Sequence, residues 1–243
     1  QHLAKTSNRQ FATLSNLEAY VDEVDARWQA AGAEETISEM DRLSGNVLSV
    51  ELRQIQRAIE RYEGCKVYGE VFVTNRYGAV IAQTTRTSDY RQDDEDWWQH
   101  AMQDGFYVGD VVYDESSDVY SVDICVRVDG DANRPIAVIK TSLAVDSLIS
   151  LLDTLVSTSS SNVVHSDNCF YLLTAAKSII YQSQGQDRGI HLDRTYEHDI
   201  SRSVAGATRV FQAEDAHHGK MLGAVAFSEG YRNYPGHNWA LVV

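Results

Sequence analysis

One stretch of the sequence concentrates residue types that could recognise a small molecule. It runs from residue 88 to 101 and reads Ser-Asp-Tyr-Arg-Gln-Asp-Asp-Glu-Asp-Trp-Trp-Gln-His-Ala. The four consecutive acids at residues 93–96 favour the start of a short helix, and adjacent side chains on a helix point about 100° apart. We therefore expect one of Trp97 and Trp98 to pack on the core and the other to line a cleft. Two tryptophans in the core are the alternative.

Three tyrosines lie close to this stretch along the chain. Tyr90 precedes the predicted helix, and Tyr107 and Tyr113 follow it on a predicted strand. Aromatic side chains with polar tips, gathered on one side of a sheet, are typical of small-molecule pockets. The pattern therefore favours a binding site that includes these tyrosines.

Lys140 follows the apolar run Pro-Ile-Ala-Val-Ile at residues 135–139. A lysine buried there costs several kcal/mol unless it is paired. It either pairs internally with Glu95 or Asp123, points outward at a sheet edge, or contacts a ligand carboxylate. Asp123 alternates with Val122 and Ile124, so it faces the opposite side of its strand, towards the cleft.

The sequence contains no recognisable catalytic or metal-binding motif. His191 and His198 are seven residues apart, which is outside the usual metal-ligand spacing, and the three cysteines are scattered. We therefore assign no catalytic residue, no metal and no cofactor, and expect that this fragment is not an enzyme. A hydrolase that uses His100 or His191 with a nearby acid is an alternative.

The charge of the chain excludes some partners. Its 243 residues include 35 acidic and 21 basic side chains, for a formal net charge of −14. This argues against nucleic acid and anionic membrane surfaces. The longest apolar run, residues 221–227, is far below the about 18 residues of a membrane span. Because the chain starts without methionine and stops within a predicted strand, we expect an excised piece whose membrane anchors lie outside it.

Apolar spacing predicts helices at the N-terminus. Residues three and four apart form one stripe on a helix of roughly 30 residues, which either packs on its own domain or forms part of a dimer seam. A second helix follows Asn46 and ends at Gly64. The stripe consists of Phe11, Leu14, Leu17, Val21, Val24 and Trp28.

From residue 66 the pattern changes to strands. Residues 66–143 read strand–strand–helix–three strands, which predicts a five-stranded antiparallel sheet with a helix packed against it. A helix at 144–156 and a polar boundary at 157–162 precede a second, smaller copy, in which residues 187–205 read as polar and partly helical. We predict an α+β fold with N-terminal helices at 1–65 and modules at 66–156 and 157–243.

The order of these segments resembles a known family. GEVFVTNRYGAVIAQT, DYRQDDEDWWQHA, YSVDICVRV, PIAVIKTSLAVDSL and a final YPGHNWALVV together look like a double Cache domain over nearly the whole chain. Such tandem PAS-like domains are sensors outside the cytoplasm in histidine kinases, chemoreceptors and diguanylate cyclases. The resemblance implies a periplasmic or extracellular domain of an inner-membrane receptor, with a histidine kinase favoured.

The resemblance also implies a ligand pocket in the first module. In amino-acid-binding members, Tyr90, Trp97, Trp98 and Tyr113 have counterparts, whereas the ligand-binding arginine and aspartate correspond to Glu95 and Lys140. Both charges are inverted, which argues against an α-amino acid.

A small carboxylate fits these residues better. Lys140, Tyr90 and Tyr113 would clamp it between Trp97 and Trp98. An amine caged by Glu95 and the aromatic rings is the second choice. We also expect a homodimer formed through the N-terminal helix, whereas a purely structural dimerisation module that binds no ligand is a further alternative.

Overall fold

A computed structural model shows an α+β fold with two antiparallel sheets, as the sequence predicts. It describes residues 1–32, 35–114, 119–158, 169–184, 188–200, 208–215, 219–230, 234 and 236–243. The chain divides into two compact units, residues 1–147 and 148–243. Most of the predicted boundary at 157–162 lies outside the described residues.

The N-terminal segment contains four helices before the first strand. The prediction of one helix of roughly 30 residues is wrong, because the chain turns between two shorter helices. The Thr13 hydroxyl donates to the carbonyl of Gln10 (2.7 Å), and Asn16 caps a new helix by accepting from the amide of Ala19 (3.2 Å). Such side chains compete with helical hydrogen bonds. The helices are α1 (His2–Phe11), α2 (Leu17–Ala30), α3 (Ser38–Gly45) and α4 (Val47–Glu63).

The first sheet has the predicted five strands in the order β2-β1-β5-β4-β3. Helix α5 lies between the second and third strands along the chain, as predicted. The elements are β1 (Tyr68–Asn75), β2 (Val80–Gln83), α5 (Asp96–Asp104), β3 (Phe106–Asp114), β4 (Val119–Asp129) and β5 (Pro135–Ala144).

Alternation along the strands gives this sheet two buried faces. On one face Phe72 and Val138 pack with the apolar stripe of α2 and with α5. On the other face Val73 and Ala137 pack with apolar residues of α1 and α4. The α2 stripe is therefore part of the core of its own unit, which is one of the two outcomes expected from its spacing.

The second unit contains a larger sheet than expected. It has six strands in the order β8-β7-β6-β11-β10-β9, so the prediction of five strands is wrong here. The polar segment after residue 187 forms a strand instead of a helix, because it pairs with β7. After α6 (Val145–Thr158), the strands are β6 (Tyr171–Leu173), β7 (Ser178–Gln182), β8 (Gly189–Thr195), β9 (Arg209–Asp215), β10 (Gly219–Phe227) and β11 (Ala240–Val242).

Asn46 joins the N-terminal helices to the sheet. Its Oδ1 accepts from the amide of Ser49 (3.0 Å), which caps α4, and its Nδ2 donates to the carbonyl of Ile81 in β2 (2.8 Å). Asn16 provides only a cap. We expect Asn46→Ala to lower the free energy of unfolding by about 2 kcal/mol and Asn16→Ala by about 1 kcal/mol.

Urea denaturation, followed by tryptophan fluorescence, measures this difference. Three of the four tryptophans, Trp28, Trp97 and Trp98, lie in the first unit, so the signal is dominated by the unit that contains both caps. Equal losses in the two variants would show that the hydrogen bond to β2 contributes nothing.

Candidate functional site

The two adjacent tryptophans of α5 make different contacts with the first sheet. The indole N–H of Trp98 donates to the Thr74 hydroxyl of β1 (2.9 Å). The ring of Trp97 packs edge-on against Phe72 of β1, with 5.8 Å between ring centres. Both side chains are buried in the same core cluster, which is the alternative expected from the sequence rather than one tryptophan in the core and one in a cleft.

Lys140 lies beneath Trp97 on β5. Its Nζ is 5.0 Å from the centre of the Trp97 ring and 5.7 Å from that of Phe72. Its ammonium forms an ion pair with Asp123 of β4 (Nζ–Oδ2 3.0 Å), and the two side chains are only 14% and 22% exposed. Of the alternatives open from the sequence, internal pairing with Asp123 is the one that the structure shows.

The ammonium of Lys140 remains charged despite its burial. Burial by itself lowers its pKa, but attraction to Asp123 and the hydrogen bond between them raise the pKa above its ordinary value, and Glu70 adds to this. The Ser142 hydroxyl donates to the other oxygen of Asp123 (2.6 Å). An ammonium has three N–H donors, and within the described part of the chain Asp123 is the only hydrogen-bond partner of this one.

Glu95 and Tyr107 influence the same ammonium. Burial and the nearby carboxylates of Asp89 and Asp94 raise the pKa of Glu95, and Lys140 partly offsets this. Burial also raises the pKa of Tyr107, whose ring stacks on His100 with 6.0 Å between ring centres. Among the described residues, the region around Lys140 therefore combines a largely buried cation, several carboxylates and aromatic rings.

Two of the predicted clamp residues lie in other surroundings. Tyr90 is 1% exposed and packs on Trp28 of α2, with 5.6 Å between ring centres. Tyr113 lies near the end of β3, is 49% exposed and packs on Tyr120 of β4 (5.2 Å). The ring contacts at Lys140 come instead from Trp97 and Phe72.

Phe72, Glu70 and Ser142 also lie near Lys140, but they were not predicted from the sequence. Strand alternation places Glu70, Phe72 and Thr74 on one face of β1, and Phe72 pairs directly with Lys140 across the strands. The alternation was readable from the sequence, but the pairing was not. Asp123 lies opposite Ser142, which explains how the serine hydroxyl reaches it.

Helix α2 positions the loop that leads into α5. The indole N–H of Trp28 donates to the carbonyl of Thr87 (2.9 Å), and Asp25 accepts from the amides of Tyr90 (2.7 Å) and Arg91 (3.0 Å). The Arg86 guanidinium in turn donates to carbonyls at the end of α2. These bonds fix the loop, and therefore the start of α5, relative to the sheet.

Comparison with known proteins shows the fold. No protein-family model matches the chain, and no curated protein matches it by sequence. The ligand-binding domain of the Campylobacter jejuni chemoreceptor Tlp3, solved with 4-methylisoleucine, is similar at 11% identity over 99% of this chain and 85% of that one, with a TM-score of 0.51.

A second solved structure gives the same result. The ligand-binding domain of the Pseudomonas aeruginosa amino acid chemoreceptor PctC, in complex with GABA, is 13% identical over 100% of this chain and 95% of that one, with a TM-score of 0.50. The chain thus has the fold of receptor ligand-binding domains, as the resemblance to double Cache domains implies. None of the described helices is long and apolar enough to cross a membrane.

Lys140 and Asp123 should contribute to stability in a non-additive way, because each compensates the charge of the other. Lys140→Met leaves the Asp123 carboxylate without its cation, and Asp123→Asn leaves the ammonium without its anion. We expect each change to lower the free energy of unfolding by about 2–4 kcal/mol, since one charge remains largely buried. The loss of unfolding free energy in the double variant should be smaller than the sum of the two single-variant losses by at least about 1 kcal/mol. Denaturant titration of the four proteins measures this coupling, and additive losses would contradict it.

Proposed function

We propose that this chain is the ligand-sensing domain of a transmembrane signalling receptor, located outside the cytoplasm, and that it binds a small carboxylate at Lys140. The observation that carries the proposal is the Lys140 ammonium itself. It is charged, largely buried and covered by Trp97 and Phe72, and it uses one of its three N–H donors on Asp123. A ligand carboxylate would accept from the remaining donors.

The surroundings of Lys140 favour a ligand of limited size. Low local polarity strengthens a charged hydrogen bond, and the rings of Trp97 and Phe72 provide apolar contact for a short carbon skeleton. Asp123 keeps the ammonium charged and oriented before a ligand arrives. An acetate or a C4 dicarboxylate therefore suits the site better than a long-chain acid.

An amine is the second candidate, and the surplus of negative charge favours it. Asp123, Glu70 and Glu95 all act electrostatically on the single cation Lys140. Burial, followed by repulsion from Asp89 and Asp94, raises the pKa of Glu95, and a ligand ammonium would offset that repulsion. In this case the ligand would bind through Glu95 and the Trp97 face rather than through Lys140.

The strand that contains Lys140 leads directly into α6, so a change at the binding site can reach that helix along the backbone. Lys140 lies in β5, and α6 begins at Val145, immediately after that strand ends. A ligand that binds more tightly to one arrangement of β5 than to another shifts the population towards it, by no more than that difference in affinity. We expect such a shift to be the signal. The histidine kinase output expected from the resemblance remains a prediction.

The carboxylate proposal is tested by isothermal titration with acetate, succinate and ethylamine. We expect a carboxylate to bind the wild-type chain, and Lys140→Met to weaken that binding at least about 100-fold, because a charged hydrogen bond in a buried site is lost. Lys66→Met removes an exposed lysine and serves as the matched control. Its affinity should equal that of the wild type.

Other outcomes distinguish the alternatives. Wild-type carboxylate affinity in a folded Lys140→Met protein would overturn the site. Binding of ethylamine that is lost in Glu95→Gln would replace the carboxylate by the amine. Turnover of any probe would contradict a pure sensor.

The homodimer expected from the sequence requires a different surface from the α2 stripe, which is buried in its own unit. The outer face of α4 exposes Val47, Ile55 and Tyr62 (75%, 58% and 88%), spaced eight and seven residues apart. Residues at this spacing lie on one side of a helix. Dimerisation through α4 would cover them.

Sedimentation equilibrium tests this interface. We expect Ile55→Glu to weaken self-association at least about tenfold, because a charge would be buried between the two helices. Leu222→Glu, which changes an exposed leucine of β10, is the control and should associate as the wild type does. A monomeric wild-type chain, or equal effects of the two variants, would contradict the proposal.

A further inference from the structure

A cavity of about 570 Å³ lies in the first unit, between α1, α3 and the edge of β2. This volume is within the range of small-molecule sites, about 300–1,000 Å³. Phe11 of α1, Leu43 of α3 and Val80 of β2 provide apolar wall, and all three are buried. Trp97, Lys140 and Asp123 are not among the described residues that line it. The cavity is therefore separate from the proposed carboxylate site.

The Tyr90 hydroxyl provides a polar group at this cavity. Tyr90 lines the cavity, and among the described residues its hydroxyl has no hydrogen-bond partner, so it can donate to a ligand there. Burial raises the pKa of Tyr90, so the hydroxyl stays protonated and is available as a donor.

Arg42, an exposed residue of α3, also lines this cavity. Arg42 acts electrostatically on the Tyr90 hydroxyl, and within the described part of the chain it forms neither an ion pair nor a hydrogen bond. The nearby Glu39 is already neutralised by Arg27 (Nη2–Oε1 2.9 Å). The described polar lining of the cavity therefore includes the Arg42 guanidinium, the Tyr90 hydroxyl and the Glu39 carboxylate that pairs with Arg27, together with uncharged polar side chains.

We propose that this cavity is a second binding site, for an amphipathic monoanion whose head group accepts from Arg42 and Tyr90 and whose apolar tail contacts Phe11, Leu43 and Val80. A charge on Arg42 and a donor on Tyr90 complement a carboxylate or a similar anion. The apolar wall complements a chain of several carbons or a ring, which distinguishes this ligand from the short acids expected at Lys140.

A ligand here would bind parts of the chain that are distant in sequence. Phe11 belongs to α1, Leu43 to α3 and Tyr90 to the loop that leads into α5. Occupancy would therefore hold two N-terminal helices against the sheet edge and stabilise the first unit by mass action. The site would act as an effector site on the same unit that contains Lys140.

Octanoate is the probe, with 1-octanol as its uncharged match. We expect isothermal titration to show octanoate binding to the wild-type chain, at least about tenfold weaker binding in Arg42→Gln, and about three- to tenfold weaker binding in Tyr90→Phe. Tyr90→Phe removes only the unpartnered hydroxyl, so the fold should be kept. 1-Octanol should bind more weakly than octanoate and should be insensitive to Arg42→Gln.

Controls separate this site from the one at Lys140. Arg57→Gln removes an exposed arginine of α4 outside the cavity and should leave octanoate affinity unchanged. Lys140→Met should also retain octanoate binding, so failure of the Lys140 proposal does not decide this one. Leu14→Trp, which fills the cavity, should abolish octanoate binding. The proposal is overturned if octanoate does not bind, if Arg42→Gln binds it normally, or if Lys140→Met abolishes its binding.

Discussion

The attachment of α2 to the loop before α5 is the constraint on which both proposed sites depend. The loop forms backbone hydrogen bonds with β2 and the turn before it, and α2 adds others: Asp25 accepts from two of its amides and the buried Trp28 indole donates to one of its carbonyls. In the opposite direction, the Arg86 side chain of the loop donates hydrogen bonds to carbonyls at the end of α2. Since unpaired backbone groups are costly when buried, these bonds define one loop conformation. That conformation places Tyr90 at the cavity and α5 over the sheet.

The second constraint is electrostatic. A lysine in the middle of a sheet is tolerated because Asp123 lies on the neighbouring strand and is itself held by Ser142. Replacement of such a pair by apolar residues is often neutral or stabilising, so stability alone does not account for it. A fixed, charged and largely buried ammonium beside two aromatic rings is what a binding site for small anions requires. The same unit also contains a partly apolar cavity lined by Arg42, which is the proposed site for a larger and more apolar anion.

Local patterns predicted elements where local forces dominate. The strands of the first sheet, helix α5 and helix α4 with its Asn46 cap and Gly64 end agree with the sequence within a few residues. The prediction of a single long N-terminal helix was wrong because the apolar periodicity continues across a turn. The side chains of Thr13 and Asn16 interrupt the helical backbone there but leave the spacing of the apolar stripe unchanged. Strand β8 was missed because its partner β7, rather than its own composition, makes it a strand.

The sequence by itself predicted an α+β fold, and it predicted that Lys140 would need a partner if it were buried. These properties follow from periodicity and from the cost of burying charge, which act over a few residues. Only the tertiary structure decided that the partner is Asp123 and that Tyr90 lines a cavity whose described lining does not include Lys140. Register between β4 and β5 and the docking of α2 make these choices. Both join residues many positions apart, so no local pattern encodes them.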